Sequence, residues 1–395
     1  MSDTHLATPP RIGRVRALAF TLAIAAAFWV AVEAVLWLVL PMPTDVRLSY
    51  AQSLPGVKPE IVYTANRYGM RSLSDWTAPK KRDTIRILCL GASTTNQPTQ
   101  STPDIWSAIL ARSLQTEFAG TGARIEVAAY GGGGQRVFHR VAWCEENLAR
   151  FQPDIVVTLE GINDLCFHGG AGYVYEGAAS RVASLRPARP PAASAKRLLQ
   201  AYSQVYKRLA ALKRVLGTKR ALQSGGQFEW HSKNLPELRA NYAAAPYADS
   251  LSRDPDPIRE FSDGMTSLLA LVAEHGARAI VLAQPTLWNE TLSDAERAAL
   301  WIYVETPAGR VRPSPAWLAR EMARYNDAQR ACAAAASARF VALDAALPKT
   351  LEIFFDDCHF TDAGNVAVAG AILPAVAECV REIRLSAAAG DPTRP

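Results

Sequence analysis

The sequence has few cysteines and no arrangement of them that suits a metal. Cys89, Cys144, Cys166, Cys332, Cys358 and Cys379 form no CxxC pair across the 395 residues, so neither a zinc module nor a thioredoxin-like redox motif is encoded. The thiols read as buried or free, with one disulfide open to a domain outside the cytoplasm. A phosphate loop is also missing: the run Gly131-Gly132-Gly133-Gly134 lacks the Gly-Lys-Ser/Thr ending and yields no Gly-x-Gly-x-x-Gly, which argues against a nucleotide cofactor. No Gly-x-Ser-x-Gly is present, and this argues against the nucleophile elbow of α/β-hydrolases. Nucleic-acid motifs are absent, and the formal charge of +6 is modest. Much of that charge lies in Arg11, Arg14, Arg16 and the stretch from Lys196 to Arg220, so it describes no nucleic-acid face. Disorder is excluded for most of the chain by 49% hydrophobic and 20% charged residues.

What is present begins with a long apolar run. From Val15 to Leu40 the only acid is Glu33, and as a helix the run extends roughly 39 Å, more than the roughly 30 Å of a bilayer's hydrocarbon layer. Trp29 and Trp37 suit a far end that meets an interface, and the arginines before the run favour a cytoplasmic amino terminus. A cleaved signal peptide is the alternative, but its apolar core is only about 7–15 residues. We expect a cytoplasmic tip and transmembrane signal anchor at 1–40 and a proline-rich stalk or linker at 41–84. A main domain follows at 85–383, with a helical insertion at about 168–256, and a flexible tail at 384–395. This topology places the main domain outside the cytoplasm, in the periplasm if the cell is Gram-negative.

Within the main domain, apolar runs alternate with helical stripes. Ile85 to Leu90 reads as a buried strand ending in Gly91-Ala92-Ser93-Thr94-Thr95. Arg124 to Ala129 ends in the glycine run, and Asp154 to Glu160 delivers Gly161-Ile162-Asn163-Asp164. Ala279 to Pro285 and Phe340 to Asp344 read as a fourth and a fifth strand. Strands separated by helices of crossover length describe a parallel doubly wound sheet, whose ligands bind beyond the carboxyl ends. Taken singly, each strand end has an ordinary reading: Ser93 as a helix cap, the glycines as a tight turn, Asn163-Asp164 as an Asx turn or cap. Lys196 to Leu222 is basic and amphipathic, and serves either as part of a helical cap on the domain or as a contact for anionic headgroups. The excursion from Trp288 to Pro315 carries Trp301 and Tyr303 and has the length to overhang a site.

Near the carboxyl terminus stands Asp356-Asp357-Cys358-His359-Phe360-Thr361. A histidine three residues after an aspartate can take the carboxylate at Nδ1 and offer Nε2 to a serine, or the pair forms a plain surface turn. Metal binding by this cluster lacks a second group of ligands, and we expect neither a metal nor a cofactor.

In this order the four segments resemble the SGNH (GDSL-like) hydrolase superfamily. The resemblance implies a three-layer α/β/α sandwich and a serine esterase or acyl hydrolase working through an acyl-serine. It implies Ser93 as nucleophile, His359 as base and Asp356 as orienting acid. The Ser93 amide, the Gly134 amide and the Asn163 side chain would form the oxyanion hole. Ala92 replaces the aspartate of the Gly-Asp-Ser form and Ala129 replaces the second block's asparagine, which leaves the register of the glycine run open. From its location we expect the substrate to be an O-acetyl or other small acyl ester on a cell-envelope carbohydrate or lipid. Two rivals are a polysaccharide O-acetyltransferase with the same residues and a non-catalytic glycan-binding or scaffold subunit.

Overall fold

The computed structural model is described for residues 13–38, 46–51, 53–66, 68–167, 182–184, 203, 205–206, 208–209, 213, 216, 230–252, 256–306 and 309–388. Most of the expected insertion at 168–256, including much of Lys196 to Leu222, lies outside the described residues. The chain divides into two compact units, one of 1–43 with 189–215 and one of 44–188 with 216–395.

The first unit is built on helix α1, Arg14–Leu38. Its segment Arg16–Leu36 is long and apolar enough to cross a membrane and has none of its span buried by protein. Leu18, Phe20, Leu22, Phe28 and Val30 all stand exposed, as lipid-facing side chains do. Glu33 does not reach outward alone. Its carboxylate accepts from the Ser203 hydroxyl at 2.6 Å and from the Val205 N–H at 3.4 Å, while the Arg208 guanidinium donates to the Leu36 carbonyl. These partners satisfy a group that would be costly in an apolar layer.

In the second unit the strands are β1 Val46–Ala51, β2 Glu60–Ala65, β3 Thr84–Gly91, β4 Arg124–Gly131, β5 Ile155–Leu159, β6 Tyr247–Ala248, β7 Arg278–Leu282, β8 Val304–Thr306, β9 Gly309–Pro313 and β10 Arg339–Val341. The helices after α1 are α2 Ser93–Asn96, α3 Trp106–Glu117, α4 Val137–Phe151, α5 Ile162–Phe167, α6 Trp230–Ala244, α7 Ile258–Glu274, α8 Asp294–Ala299, α9 Pro315–Ala335, α10 Leu343–Ala346 and α11 Asp362–Ala388.

Five strands form a parallel sheet in the order β10-β7-β5-β3-β4. The chain enters at β3, steps outward to β4, then crosses back to β5, so the topological switch point lies at the carboxyl end of β3. Every residue of β3 and β5 is buried, as expected where helices cover both faces. Helices α3 and α11 pack together as one layer, and α4, α7 and α9 as the other. The three-layer α/β/α sandwich is therefore the fold. Helix α11 is also long and apolar enough to span a membrane, but half of that span is buried. Val368, Ile372, Val376 and Val380 lie in the core, which makes it a core helix.

Three expected boundaries shift. The tail does not begin at 384, because α11 runs on to Ala388. The fifth strand ends at Val341, and Asp344 instead sits in α10, where it accepts from Asn326 at 3.1 Å. The segment expected as a stalk at 41–84 belongs, from residue 44, to the body of the second unit. Its strands β1 and β2 pair antiparallel, and Ile61, Met70 and Trp76 are fully buried. Arg71 exchanges backbone hydrogen bonds with Ala129 at 2.8 and 2.9 Å, covering the outer edge of β4 that would otherwise lie open.

Candidate active site

One residue separates Ser93, the first residue of α2, from the end of β3 at Gly91; that residue, Ala92, occupies the cap position without a side-chain bond. The capping reading of Ser93 therefore falls away. Its Oγ instead lies 2.8 Å from His359 Nε2. His359 Nδ1 faces Asp356, at 2.8 Å from Oδ2 and 3.0 Å from Oδ1. Oδ1 also accepts the backbone N–H groups of Cys358 and His359 at 3.0 and 2.8 Å. Side chains 266 positions apart thus meet at one rim of the sheet, and both are nearly sealed from solvent: Ser93 is 7% exposed and His359 3%.

The turn that carries His359 closes on itself, with Phe354 bridged to Phe360 and the Phe355 N–H donating to the His359 carbonyl. Asp356, Cys358 and His359 place ligand atoms within 4.8 Å of one another, close enough for one ion. The hydrogen bonds speak for another use. Both imidazole nitrogens are engaged, the Asp356 oxygens receive several N–H groups, and burial holds the Cys358 thiol well above its ordinary pKa, hence protonated.

Residues 89–367 match the GDSL-like lipase/acylhydrolase family. The chain belongs to that family. It is accordingly a carboxylic ester hydrolase by descent and fold. None of the curated proteins matches the sequence. Among solved structures, it is similar to the acetyl xylan esterase AlAXEase, at 12% identity and TM-score 0.40, over 74% of this chain and 100% of that one. A catalytic mutant of Axe2, an acetylxylan esterase from Geobacillus stearothermophilus, is 15% identical at TM-score 0.39, with 73% and 93% covered. LAE5, an alpha/beta hydrolase enzyme from the metagenome of Lake Arreo, Spain, is 15% identical at TM-score 0.39, with 75% and 95% covered.

In this GDSL-like chain, Gly134 stands on the loop that leaves β4 and Asn163 in the first turn of α5, just after β5; β4 and β5 are the two neighbours of β3. Gly131 pairs with Gly91, and a Cβ there would stand 2.5 Å from the Gly91 carbonyl oxygen and 2.6 Å from that of Ala92. The first glycine of the run thus serves close approach of the two strand ends. Gly134 serves the turn, at φ +70°. The Asn163 amide donates to the Gln135 carbonyl at 2.9 Å, which fixes the side chain through one N–H and leaves the second for another acceptor. Asp164 caps a different helix from its own: its carboxylate accepts the Val137 N–H at the start of α4, at 3.3 Å. Burial pushes Asp164 up to about 7, opposed by the positive charge of Arg136 and by hydrogen bonds.

Residues that the sequence reading left without a role hold these groups. Asn66 Oδ1 accepts the N–H groups of Tyr68 and Met70, a turn that sends the Arg71 guanidinium inward against the segment that follows α2. There it donates to the carbonyls of Asn96 and Gln100, each at 2.7 Å, and to the Thr102 hydroxyl. The Gln100 amide in turn reaches the Phe360 carbonyl, which joins the serine loop to the histidine turn.

Proposed function

We propose that the protein is a membrane-held serine esterase that removes a small acyl group, O-acetyl by preference, from a cell-envelope carbohydrate. The observation that carries this reading is the His359 imidazole standing at 2.8 Å from both Ser93 Oγ and an Asp356 oxygen. His359 takes the serine proton as Oγ attacks the ester carbonyl, and Asp356 holds the tautomer that leaves Nε2 free to accept. The Ser93 amide, the Gly134 amide and the Asn163 side chain stabilise the oxyanion. The alcohol then departs with the proton from His359, and water repeats the sequence on the acyl-serine.

The small acyl group is inferred from the confinement of Ser93. The envelope carbohydrate is inferred from α1, read as an anchor that holds the second unit outside the cytoplasm. A second reading, transfer of the acyl group to a glycan hydroxyl, draws support from the same confinement, because transfer succeeds only where water is kept from the acyl-serine.

The test is the full chain in detergent or nanodiscs with acetyl and longer acyl esters, with and without an oligosaccharide acceptor. The esterase reading expects acetyl release that does not need the acceptor and that vanishes in Ser93→Ala. Acceptor-dependent acyl product with negligible hydrolysis would reverse the choice, and full activity in Ser93→Ala would overturn the nucleophile.

A further inference from the structure

The segment from Pro285 to Ile302, which contains α8, runs against the histidine turn, and Asp357 fastens it there. The Asp357 carboxylate accepts the Trp288 indole N–H at 2.8 Å on one oxygen, and the backbone N–H groups of Trp301 and Ile302 at 2.8 and 3.1 Å on the other. The Leu287 N–H also donates to the Asp357 carbonyl at 2.8 Å. A buried carboxylate with three donors is a firm clamp, and what it holds in place is Trp301. The Trp301 indole N–H donates to Asp356 Oδ2 at 2.8 Å, the oxygen that also faces His359 Nδ1. Its ring lies nearly parallel to the imidazole, with 5° between planes at 6.4 Å, and Phe355 flanks the same imidazole at 5.7 Å and 15°. Leu54, Val57 and Leu235 pack with Phe355 and Trp301, which backs the two rings with apolar side chains.

We propose that Trp301 is a positioning residue for the Asp356–His359 pair, set in place by the Asp357 clamp. The indole N–H fixes the orientation of the carboxylate and withdraws part of its charge from the imidazole; the ring limits how far the imidazole can tilt. The aspartate at the first variable position of the Asp-x-x-His motif and a tryptophan outside the motif thereby join the machinery. This rests on the acyl-serine reading above.

The test is Trp301→Phe in the full chain, which keeps an aromatic ring and removes only the N–H and some area. Loss of one hydrogen bond to a charged group corresponds to a fall in kcat of roughly 10- to 150-fold, with KM little changed. A carboxylate relieved of a donor holds the imidazolium more strongly, so the acid limb of kcat/KM moves to higher pH. A merely structural role would leave that limb in place. Asp357→Asn, which weakens the clamp on the 301 and 302 amides, is expected to act in the same direction, and the double variant to be no worse than the more damaged single one. The rate of labelling of Ser93 by a fluorophosphonate probe separates the outcomes. Wild-type labelling, with a slower rate and an acid limb moved to higher pH in Trp301→Phe, supports the proposal. An unmoved acid limb overturns it while the acyl-serine reading stands, and a wild-type protein that never labels at Ser93 overturns both.

Discussion

At the amino-terminal end of the sheet Arg86 meets Glu126 at 2.9 Å, both buried. Its other nitrogens donate to the carbonyls of Phe151 at 2.8 Å and Thr77 at 2.5 Å, and its guanidinium lies over the Trp76 ring. At the carboxyl end Arg140 stands 3.3 Å from Glu160, equally buried, yet its Nε and Nη1 and the Glu160 Oε1 make no hydrogen bond. Burial outweighs the attraction of Arg140 and pushes Glu160 up to about 8. The same two residue types are thus fully matched at one end of the sheet and loosely matched at the other. Polar groups left without partners gather where a protein keeps its chemistry, and saturated pairs where it keeps its shape. The loose pair also reaches the site: Arg140 donates to Gln135, whose carbonyl holds the Asn163 amide.

Changes at the two ends should therefore separate activity from stability. The largest effect is expected for Asp356→Asn at the carboxyl end, a fall in kcat of about 10⁴-fold from the wrong histidine tautomer, with the thermal midpoint little moved; steady-state ester kinetics and calorimetry read both. Arg86→Met at the other end leaves the buried Glu126 with only the half-exposed Arg124, at 3.0 Å, and should cost about 3 kcal/mol in denaturant unfolding, while the folded fraction keeps its kcat. Under the proposed mechanism Asn163→Ala removes an oxyanion donor, and kcat should fall by roughly 100- to 1000-fold with near-parental stability; parental turnover would remove Asn163 from the mechanism.

The smallest effect is a slope. Glu160 keeps its proton to about pH 8 in the native chain and loses it near the ordinary carboxylate value when unfolded. Between those limits unfolding releases a proton, so stability falls as pH rises. Glu160→Gln should flatten that fall, although Asp164 and Asp357, each raised to about 7, continue to contribute in the same direction. An unchanged slope would mean that the pair with Arg140 is ionised throughout and that the two ends are alike.

The fold was legible because buried parallel strands announce themselves as unbroken apolar runs, and because Ser93, the glycine run and Asn163 each close such a run. The Asp356 to His359 spacing was legible for a local reason: three residues suffice to turn a carboxylate onto an imidazole. What the sequence concealed acts across distance. Nothing in the composition of 41–84 announces that Arg71 would bind the carbonyls of Asn96 and Gln100, since a buried arginine is visible only through the carbonyls that surround it. Trp301 stood within a loop expected to overhang the site, but its bond to Asp356 depends on the clamp at Asp357, which as a bare sequence letter reads as the second acid of a surface turn. The end of α11 was misplaced because Arg384 and Ser386 look like tail residues although the helix continues through them.

A covalent acyl group at Ser93 is the intermediate that the proposed mechanism requires. Rapid acid quench of the full chain during turnover of an activated acetyl ester, followed by intact-mass and peptide analysis, should find one added acetyl group on the peptide that carries Ser93. That adduct should be absent from Ser93→Ala and should persist longer when water attack is slowed in His359→Ala after chemical acylation. Turnover with no adduct at Ser93 at any quench time, or with the acetyl group on another side chain, would contradict it.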